Sequence, residues 1–233
     1  MPARDFRVAV ARCWSLRADA AQRARDRGNT DPGLRAGVTS GKHLDPLAEL
    51  VESVLHDAGL PASNVHRNSG VELPGYYRPE KKWDVVAVHS GVVVVAIEFK
   101  SILGSYGNNM NNRVEEALGN ATDLLEAAQA GLLGVKPPWL GYVFLMQDEP
   151  ASRSSVSIRQ AHFPIDEAFG SSSYQERALL MCRRLVLRRL YNAAWFVTGD
   201  GGSAPDCIRE PANDLSWAKF EAAIRGRVSE ILA

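Results

Sequence analysis

The chain has 233 residues, of which 45% are hydrophobic and 23% charged, so it can bury a large core in one or two domains. Its formal net charge is zero, which argues against an indiscriminate nucleic-acid binder, because phosphate binding is largely electrostatic. No apolar run approaches the ~20 residues of a membrane helix, and the first residues do not resemble a signal peptide. The three cysteines are scattered without metal-binding spacing, so we expect structural thiols and a cytoplasmic location.

Basic residues are concentrated in two segments. Residues 1–42 contain eight arginines and one lysine against four aspartates, and residues 4–27 have the composition of a helix. The second segment, Arg177–Arg189, contains five arginines and no carboxylate. We interpret it as a solvated or dimer-facing helix, with DNA contact as the alternative. No linker divides the chain, so we predict one domain over 1–233 that begins with a basic helical segment at about 1–42.

The hydrophobic pattern predicts helices and strands in alternation. A loop rich in Gly and Asn covers residues 28–41, and an amphipathic helix follows at Leu44–Ala58. Two apolar strands, Trp83–Val88 and Val92–Lys100, flank a Ser90-Gly91 turn and are expected to lie in the centre of a sheet. The other predicted elements are a short strand or turn at Val71–Gly75, a loop at Ser101–Asn112, helices at Arg113–Ala130, Tyr174–Tyr191 and Trp217–Leu232, and strands at Trp139–Gln147 and Ala194–Thr198. We therefore predict an α/β fold in which a mixed central sheet is flanked by helices.

The apolar hairpin carries acids at both of its ends. Asp84 stands at the start of its first strand, and Glu98 and Lys100 stand at the end of its second. Because alternate residues of a strand share a face, Glu98 and Lys100 point the same way. If the pairing is centred on Gly91, Asp84 lies opposite Glu98 with the Cβ atoms ~5 Å apart. A register shifted by one residue would put the two acids on opposite faces.

Two adjacent carboxylates repel each other unless a proton or a metal ion lies between them. Oxygen ligands suit Mg²⁺, completed by waters and a phosphate oxygen, and such a cation stabilises charge that develops on a phosphate. Lys100 would orient a water or offset phosphoryl charge, and we expect burial and the cation to lower its pKa. The pattern thus predicts a magnesium-dependent nuclease with Asp84 and Glu98 as metal ligands. The alternative is a strand that ends in solvent with a surface ion pair.

A second Glu-x-Lys pattern, Glu80-Lys81-Lys82, has no apolar strand before it, and we interpret it as a surface charge cluster. A third carboxylate often assists such sites. Glu72, Glu49 and Glu52 are candidates, although surface or structural roles are the more common explanation for each.

Several unusual blocks of sequence surround the hairpin. They are Ser69–Asp84, which contains Val-Glu-Leu-Pro-Gly-Tyr-Tyr-Arg-Pro-Glu-Lys-Lys-Trp, then Ala96-Ile-Glu-Phe-Lys-Ser101, Gly107–Gly119 and Trp139-Leu-Gly-Tyr142. Together they resemble type II restriction endonucleases of the XhoI family over roughly residues 40–145. The match departs from the wider family signature at Trp83, where proline is often found before the first acid.

The resemblance implies a PD-(D/E)xK nuclease fold with Asp84, Glu98 and Lys100 as catalytic residues and Mg²⁺ as cofactor. It implies double-strand cleavage at the palindromic hexanucleotide CTCGAG. It also implies a homodimer, since a two-fold DNA site is most simply read by a two-fold protein. A companion DNA methyltransferase would act on the same site without necessarily binding the endonuclease.

Candidate DNA contacts flank the hairpin on both sides. Asparagine can pair with adenine and arginine with guanine, but either can instead contact phosphate, and asparagine also caps helices. The candidates are Asn108, Asn109, Asn111, Asn112 and Arg113 after the hairpin, with Arg78, Lys81 and Lys82 before it as phosphate contacts. Two other functions remain open at this stage, a repair or junction-resolving nuclease of the same fold and a DNA-binding module without catalysis.

Overall fold

This computed structural model describes residues 5–26, 42–159, 162–202 and 204–233. Within these residues, eight strands form a six-stranded sheet and a separate two-stranded hairpin. The strands are β1 (Val65–His66), β2 (Glu72–Pro74), β3 (Glu80–Lys82), β4 (Val85–His89), β5 (Val92–Ile102), β6 (Leu140–Gln147), β7 (Ala193–Gly199) and β8 (Ile208–Arg209). The helices are α1 (Phe6–Asp26), α2 (Asp45–Asp57), α3 (Tyr106–Gln129), α4 (Pro150–Arg153), α5 (Tyr174–Leu187) and α6 (Trp217–Leu232).

The large sheet has the strand order β1-β4-β5-β6-β7-β8. Strands β5, β6 and β7 run parallel to one another, whereas β1, β4 and β8 are antiparallel to their neighbours. Strand β5 therefore lies in the interior of the sheet, where it is buried over most of its length, as its apolar sequence predicts. The predicted mixed central sheet is confirmed.

Helices cover both faces of the large sheet. On one face, α1, α2 and α6 pack against residues such as Ile97, Phe99 and Val143. On the other face, α3, α5 and the β2–β3 hairpin pack against residues such as Ala96 and Tyr142. Because residues of a strand alternate between faces, Glu98 and Lys100 point into the layer that contains α3 and the β2–β3 hairpin.

Two predicted boundaries are wrong. The predicted loop Ser101–Asn112 is the end of β5 followed by the first turns of α3, because burial of Tyr106 and Met110 outweighs the weak helix propensity of asparagine. The predicted helix Tyr174–Tyr191 ends at Leu187, since Arg189 has a left-handed backbone with φ of 57° that stops the helix. The predicted loop at 28–41 lies outside the described residues.

None of the described helices combines the length and apolar character that crossing a membrane requires.

Candidate active site

The β4–β5 hairpin changes register part of the way along its length. Its Ser90-Gly91 turn has positive φ at both residues, 49° and 75°, as in the two-residue turns that fit twisted hairpins. Next to this turn Val88 pairs with Val93, but beyond a bulge Val85 pairs with Ile97. One extra residue on β5 accounts for the change.

The bulge brings the two acids of the hairpin to the same face. The recorded pairs end with Val85 opposite Ile97, and one further step along this register leads to Asp84 and Glu98, whose negative charge raises the pKa of Asp84. Without the extra residue, the turn would align Asp84 with Ile97, whose side chain packs in the opposite layer. The backbone N–H of Asp84 donates to the Ile97 carbonyl at 3.1 Å, which fixes this end of the hairpin.

Glu98 is the buried acid of the pair, with only 3% of its surface exposed. Two ammonium groups neutralise it: Lys81 Nζ lies 2.5 Å from Oε2, and Lys100 Nζ lies 2.6 Å from Oε1. The amide of Asn120 on α3 donates to Oε1 at 3.5 Å. A carboxylate is costly to bury unless it is paired, and these three donors offset that cost.

Asp84 is the accessible acid of the pair. Its carboxylate accepts a hydrogen bond from the backbone N–H of Phe99 at 2.6 Å, although the residue as a whole reaches solvent. Desolvation by the surrounding atoms raises the pKa of Asp84 to about 6, and the negative charge of Glu98 adds to this shift. The hydrogen bond from Phe99 acts in the opposite direction. A cation bound beside these two acids would relieve the repulsion between their negative charges.

Lys100 carries a positive charge in this arrangement. Burial lowers its pKa, but the charge of Glu98 and the hydrogen bond to it raise the pKa by more, so that the net shift is upward. Glu116 on α3 adds to the upward shift from a distance of 3.4 Å, and Arg113 contacts the same Glu116 oxygen at 3.1 Å. The expectation of a lowered pKa is therefore wrong for the protein without a metal ion.

Lys81 contacts Glu98 and so lies in the candidate site, whereas the sequence indicated only a candidate phosphate contact or a surface charge. Its side chain is 12% exposed and contacts Glu98, so the interpretation of Glu80-Lys81-Lys82 as a surface cluster is wrong for its middle residue. The strand alternation of β3 explains this, since Glu80 and Lys82 face solvent while Lys81 faces inward. The sequence Glu-Lys-Lys shows no alternation of polarity, so nothing in it indicated a strand that packs over β5.

Asp123 on α3 holds the turn of the β2–β3 hairpin. One of its oxygens accepts the backbone N–H groups of Tyr76 and Tyr77 at 2.9 and 2.8 Å, and the other accepts Arg78 Nε at 2.7 Å. A Cβ atom at Gly75 would lie only 2.5 Å from this carboxylate, so the close approach requires glycine. The hairpin that delivers Lys81 is thus fixed to the same helix that carries Asn120.

The candidate DNA contacts divide into two groups. Asn109 donates to the Gly104 carbonyl at 2.9 Å, Arg113 pairs with Glu116, and Arg78 is bound to Asp123 and to Asn120. The remaining candidates are exposed side chains. They are Asn108, Asn111 and Asn112 on the first turns of α3, and Lys82, which lies 3.2 Å from Glu72.

The three candidate third carboxylates have other partners. Glu72 pairs with Lys82, Glu52 pairs with Arg67, and Glu49 pairs with both Arg12 and Arg67. In the parts of the chain that the structure describes, no group of three or more acidic, histidine or cysteine side chains could hold a metal ion together. Asp84 and Glu98 form an all-oxygen pair beside which a phosphate and waters would complete a coordination shell, and this fits a hard divalent cation.

Comparison with known proteins identifies the family of the chain. The family model for restriction endonuclease XhoI matches residues 23–208. The chain is 38% identical over 198 residues to the type II restriction enzyme BstVI of Geobacillus stearothermophilus. The matched region covers 82% of this chain and 88% of that protein. It is also 38% identical over 186 residues to the type II restriction enzyme XhoI of Xanthomonas vasicola, covering 78% of this chain and 74% of that protein.

A third relative is the type II restriction enzyme AbrI of Azospirillum brasilense, 37% identical over 163 residues and covering 69% of this chain and 73% of that protein. No solved structure was found to match the chain. The mixed six-stranded sheet flanked by helices is consistent with a restriction endonuclease-like fold. The chain belongs to the XhoI family of type II restriction endonucleases, which are site-specific deoxyribonucleases.

Proposed function

We propose that the protein cleaves both strands of DNA at CTCGAG in a reaction that requires Mg²⁺, with Asp84, Glu98 and Lys100 as catalytic residues. The observation that carries this proposal is the cluster at one end of the hairpin, where Lys100 contacts the buried Glu98 and the charge of Glu98 raises the pKa of Asp84. The recognition sequence rests on the family resemblance. Type II restriction enzymes generally use divalent metal ions, which supports the choice of cofactor.

Each proposed catalytic residue has a task that follows from its surroundings. Asp84 and Glu98 hold Mg²⁺, which when bound supplies positive charge to the phosphate in the transition state. Asp84 is accessible, so it can exchange its proton for a cation without a rearrangement of the hairpin. Lys100 lies 2.6 Å from Glu98, and we assign it to offsetting phosphoryl charge or to orienting the attacking water.

Exposed asparagines on α3 are the proposed base contacts. Asn108, Asn111 and Asn112 are spaced by three and four residues, so they lie on one face of the helix. A helix face of this kind fits the major groove, where asparagine can bind adenine through two hydrogen bonds. Asn109 and Arg113 have partners within the protein, and we propose that they stabilise this end of the helix. They remain proposed DNA contacts, because they lie among the exposed asparagines.

Phosphate contacts are proposed for Arg78 and Lys82 on the β2–β3 hairpin. Lys82 has 71% of its side chain exposed, and Arg78 has 40% exposed although it is bound to Asp123. Such contacts would position the duplex without reading its sequence. A homodimer is proposed because CTCGAG is a palindrome, together with a companion methyltransferase that protects the same site in the cytoplasm.

The experiment is digestion of phage DNA by the purified protein with Mg²⁺ and, in parallel, with EDTA. We expect discrete fragments whose ends map to CTCGAG with Mg²⁺, and intact DNA with EDTA. A smear of fragments would show that cleavage is not sequence-specific, which would favour a repair-type nuclease. Discrete fragments that map to another site would contradict the recognition sequence while leaving the chemistry in place.

Intact DNA under every divalent cation would favour a DNA-binding module. The matched control is Glu52→Ala, which removes an acid that pairs with Arg67 and is carried by a helix on the other face of the sheet. This variant should cut as the unmodified protein does.

A further inference from the structure

We propose that Lys81 is a second active-site lysine, which neutralises Glu98 in the metal-free protein and moves from it to a DNA phosphate when the metal ion binds. This inference rests on the proposed function, because it assumes that Asp84 and Glu98 hold the cation. It assigns to Lys81 a contact with the reacting phosphate and a competition with the metal ion.

The contact geometry defines the competition. Each oxygen of Glu98 holds one ammonium group, since Lys81 Nζ lies 2.5 Å from Oε2 and Lys100 Nζ lies 2.6 Å from Oε1. The two lysines balance the charges of Glu98 and Asp84. A divalent cation at this pair of acids would add two positive charges next to two ammonium groups, so at least one ammonium group has to move away.

Lys81 is the lysine that moves, because it has less to hold it. Lys100 retains Glu116 at 3.4 Å as a second acidic partner when Glu98 is occupied. Among the described residues, the ion-pair partner of Lys81 is Glu98, and its other contacts are the Lys82 carbonyl at 2.9 Å and the ring of Trp83 at 4.3 Å. Neither of those contacts offers the Lys81 ammonium group a negative charge in place of Glu98.

The hairpin that carries Lys81 also holds this side chain close to the proposed position of the phosphate. Strands β2 and β3 pair only with each other within the described sheets, and their turn is fixed to α3 through Asp123. The side chain of Lys81 therefore starts from a fixed backbone beside the acids. Because Lys81 Nζ contacts Glu98, a phosphate bound at a cation on Asp84 and Glu98 would lie within reach of this side chain once the cation had taken its carboxylate partner.

The test measures the affinity for metal without DNA, using Mn²⁺ as the probe and electron paramagnetic resonance to count the free ion. Lys81→Met removes the competing charge and keeps the length of the side chain, and we expect it to bind Mn²⁺ roughly tenfold more tightly than the unmodified protein. Lys81→Arg keeps the charge and should bind within about twofold of the unmodified protein. Lys136→Met is the matched control away from the site, and it should change metal affinity by less than about twofold because its partner is Glu230.

The same variants separate this role from a structural one. At saturating Mg²⁺, Lys81→Met should cut DNA about a hundredfold more slowly than the unmodified protein, so that metal affinity and cleavage change in opposite directions. A disturbed hairpin would weaken both properties. Should Lys81→Met fail to fold, as judged by circular dichroism, Lys81→Gln carries the same test.

Three outcomes overturn the inference. If the unmodified protein binds Mn²⁺ and cuts DNA but Lys81→Met binds Mn²⁺ no more tightly, the competition is absent and the proposed function stands. If Lys81→Met binds more tightly and cuts at the normal rate, the contact with phosphate is absent. If the unmodified protein neither binds Mn²⁺ nor cuts DNA, the proposed function fails and the inference fails with it.

Discussion

Two hairpins of this molecule carry the pattern Glu-x-Lys, and they use it differently. In β5 the pattern ends a long strand inside the large sheet, so Glu98 and Lys100 both point into the layer that contains α3. In β3 the pattern occupies a short strand outside that sheet, so Glu80 and Lys82 face solvent and only Lys81 points inward. The central hairpin supplies both acids of the site, and the peripheral hairpin supplies one cation to them.

The difference shows what each position in the fold can contribute. A strand with neighbours on both sides has a fixed register, which suits acids that have to meet across a hairpin. A two-stranded hairpin is marginal by itself and depends on packing, here on the hydrogen bonds to Asp123. We therefore expect changes in the central hairpin to remove activity and changes in the peripheral hairpin to reduce it.

The largest effect is expected from the acids of the central hairpin. Asp84→Ala and Glu98→Ala each remove a proposed metal ligand, and either should lower cleavage by roughly a thousandfold or more. Binding of a CTCGAG duplex, measured by fluorescence anisotropy, should persist, because the exposed asparagines and lysines are unchanged. Normal cleavage by either variant would refute the assignment of the metal ligands.

A smaller effect is expected when the peripheral hairpin is released from α3. Asp123→Ala leaves the N–H groups of Tyr76 and Tyr77 and the guanidinium of Arg78 without their acceptor. We expect a loss of about 2 kcal/mol in the free energy of unfolding, measured with urea. Cleavage should fall by about tenfold, since Lys81 would no longer be held beside Glu98.

Asp123→Asn is the matched control for this change, because it keeps an oxygen for the two backbone N–H groups. It should lose less stability than the alanine variant. Equal stability of all three proteins would show that the hairpin is held by packing alone, and the contrast between the two hairpins would then need another explanation.

The smallest effect, about twofold at pH 6 and larger at lower pH, is expected from protonation of Asp84. Its pKa of about 6 means that near pH 6 about half of the molecules carry a proton that competes with the metal ion. Cleavage at limiting Mg²⁺ should fall about twofold at pH 6 and about tenfold at pH 5, relative to pH 8. A cleavage rate that stays constant down to pH 5 would contradict the raised pKa of Asp84 or its role as a metal ligand.

The raised pKa of Asp84 weakens metal binding at low pH, but it stabilises the folded protein there. The folded protein holds this proton more tightly than the unfolded chain does, so the contribution of Asp84 to stability is present below the ordinary pKa of 3.8 and is lost as pH rises through about 6. Metal binding therefore improves over the pH range in which this contribution disappears. Asp84→Asn should remove this contribution to stability, so that without metal its melting temperature should change less in favour of pH 4 over pH 7 than that of the unmodified protein.

Much of the central hairpin could be predicted from the sequence. The apolar runs on either side of Ser90-Gly91 identify its strands, and strand alternation gives the shared face of Glu98 and Lys100. The bulge could not be predicted, because it depends on which residue of β5 is left unpaired when the sheet is packed. The alignment centred on Gly91 matches the recorded pair of Val85 with Ile97, although the turn itself is centred between Ser90 and Gly91.

The peripheral hairpin was largely beyond prediction. Its strands have three residues each, too few for a periodic pattern to identify, and their packing over β5 depends on the buried residues of both. The contact between Lys81 and Glu98 joins residues from separate sheets. The asparagines were assigned to a loop because their propensity for helix is low, whereas the burial of Tyr106 and Met110 makes this segment helical.

The most direct test of the account is cleavage of a plasmid that contains a single CTCGAG site, with the unmodified protein and Glu98→Ala compared at the same Mg²⁺ concentration. The account predicts that the unmodified protein converts the plasmid to one linear form cut at that site, whereas Glu98→Ala leaves it supercoiled. Linearisation by both proteins, or by neither at any divalent cation, would contradict the claim that the opposed acids of the central hairpin form the active site.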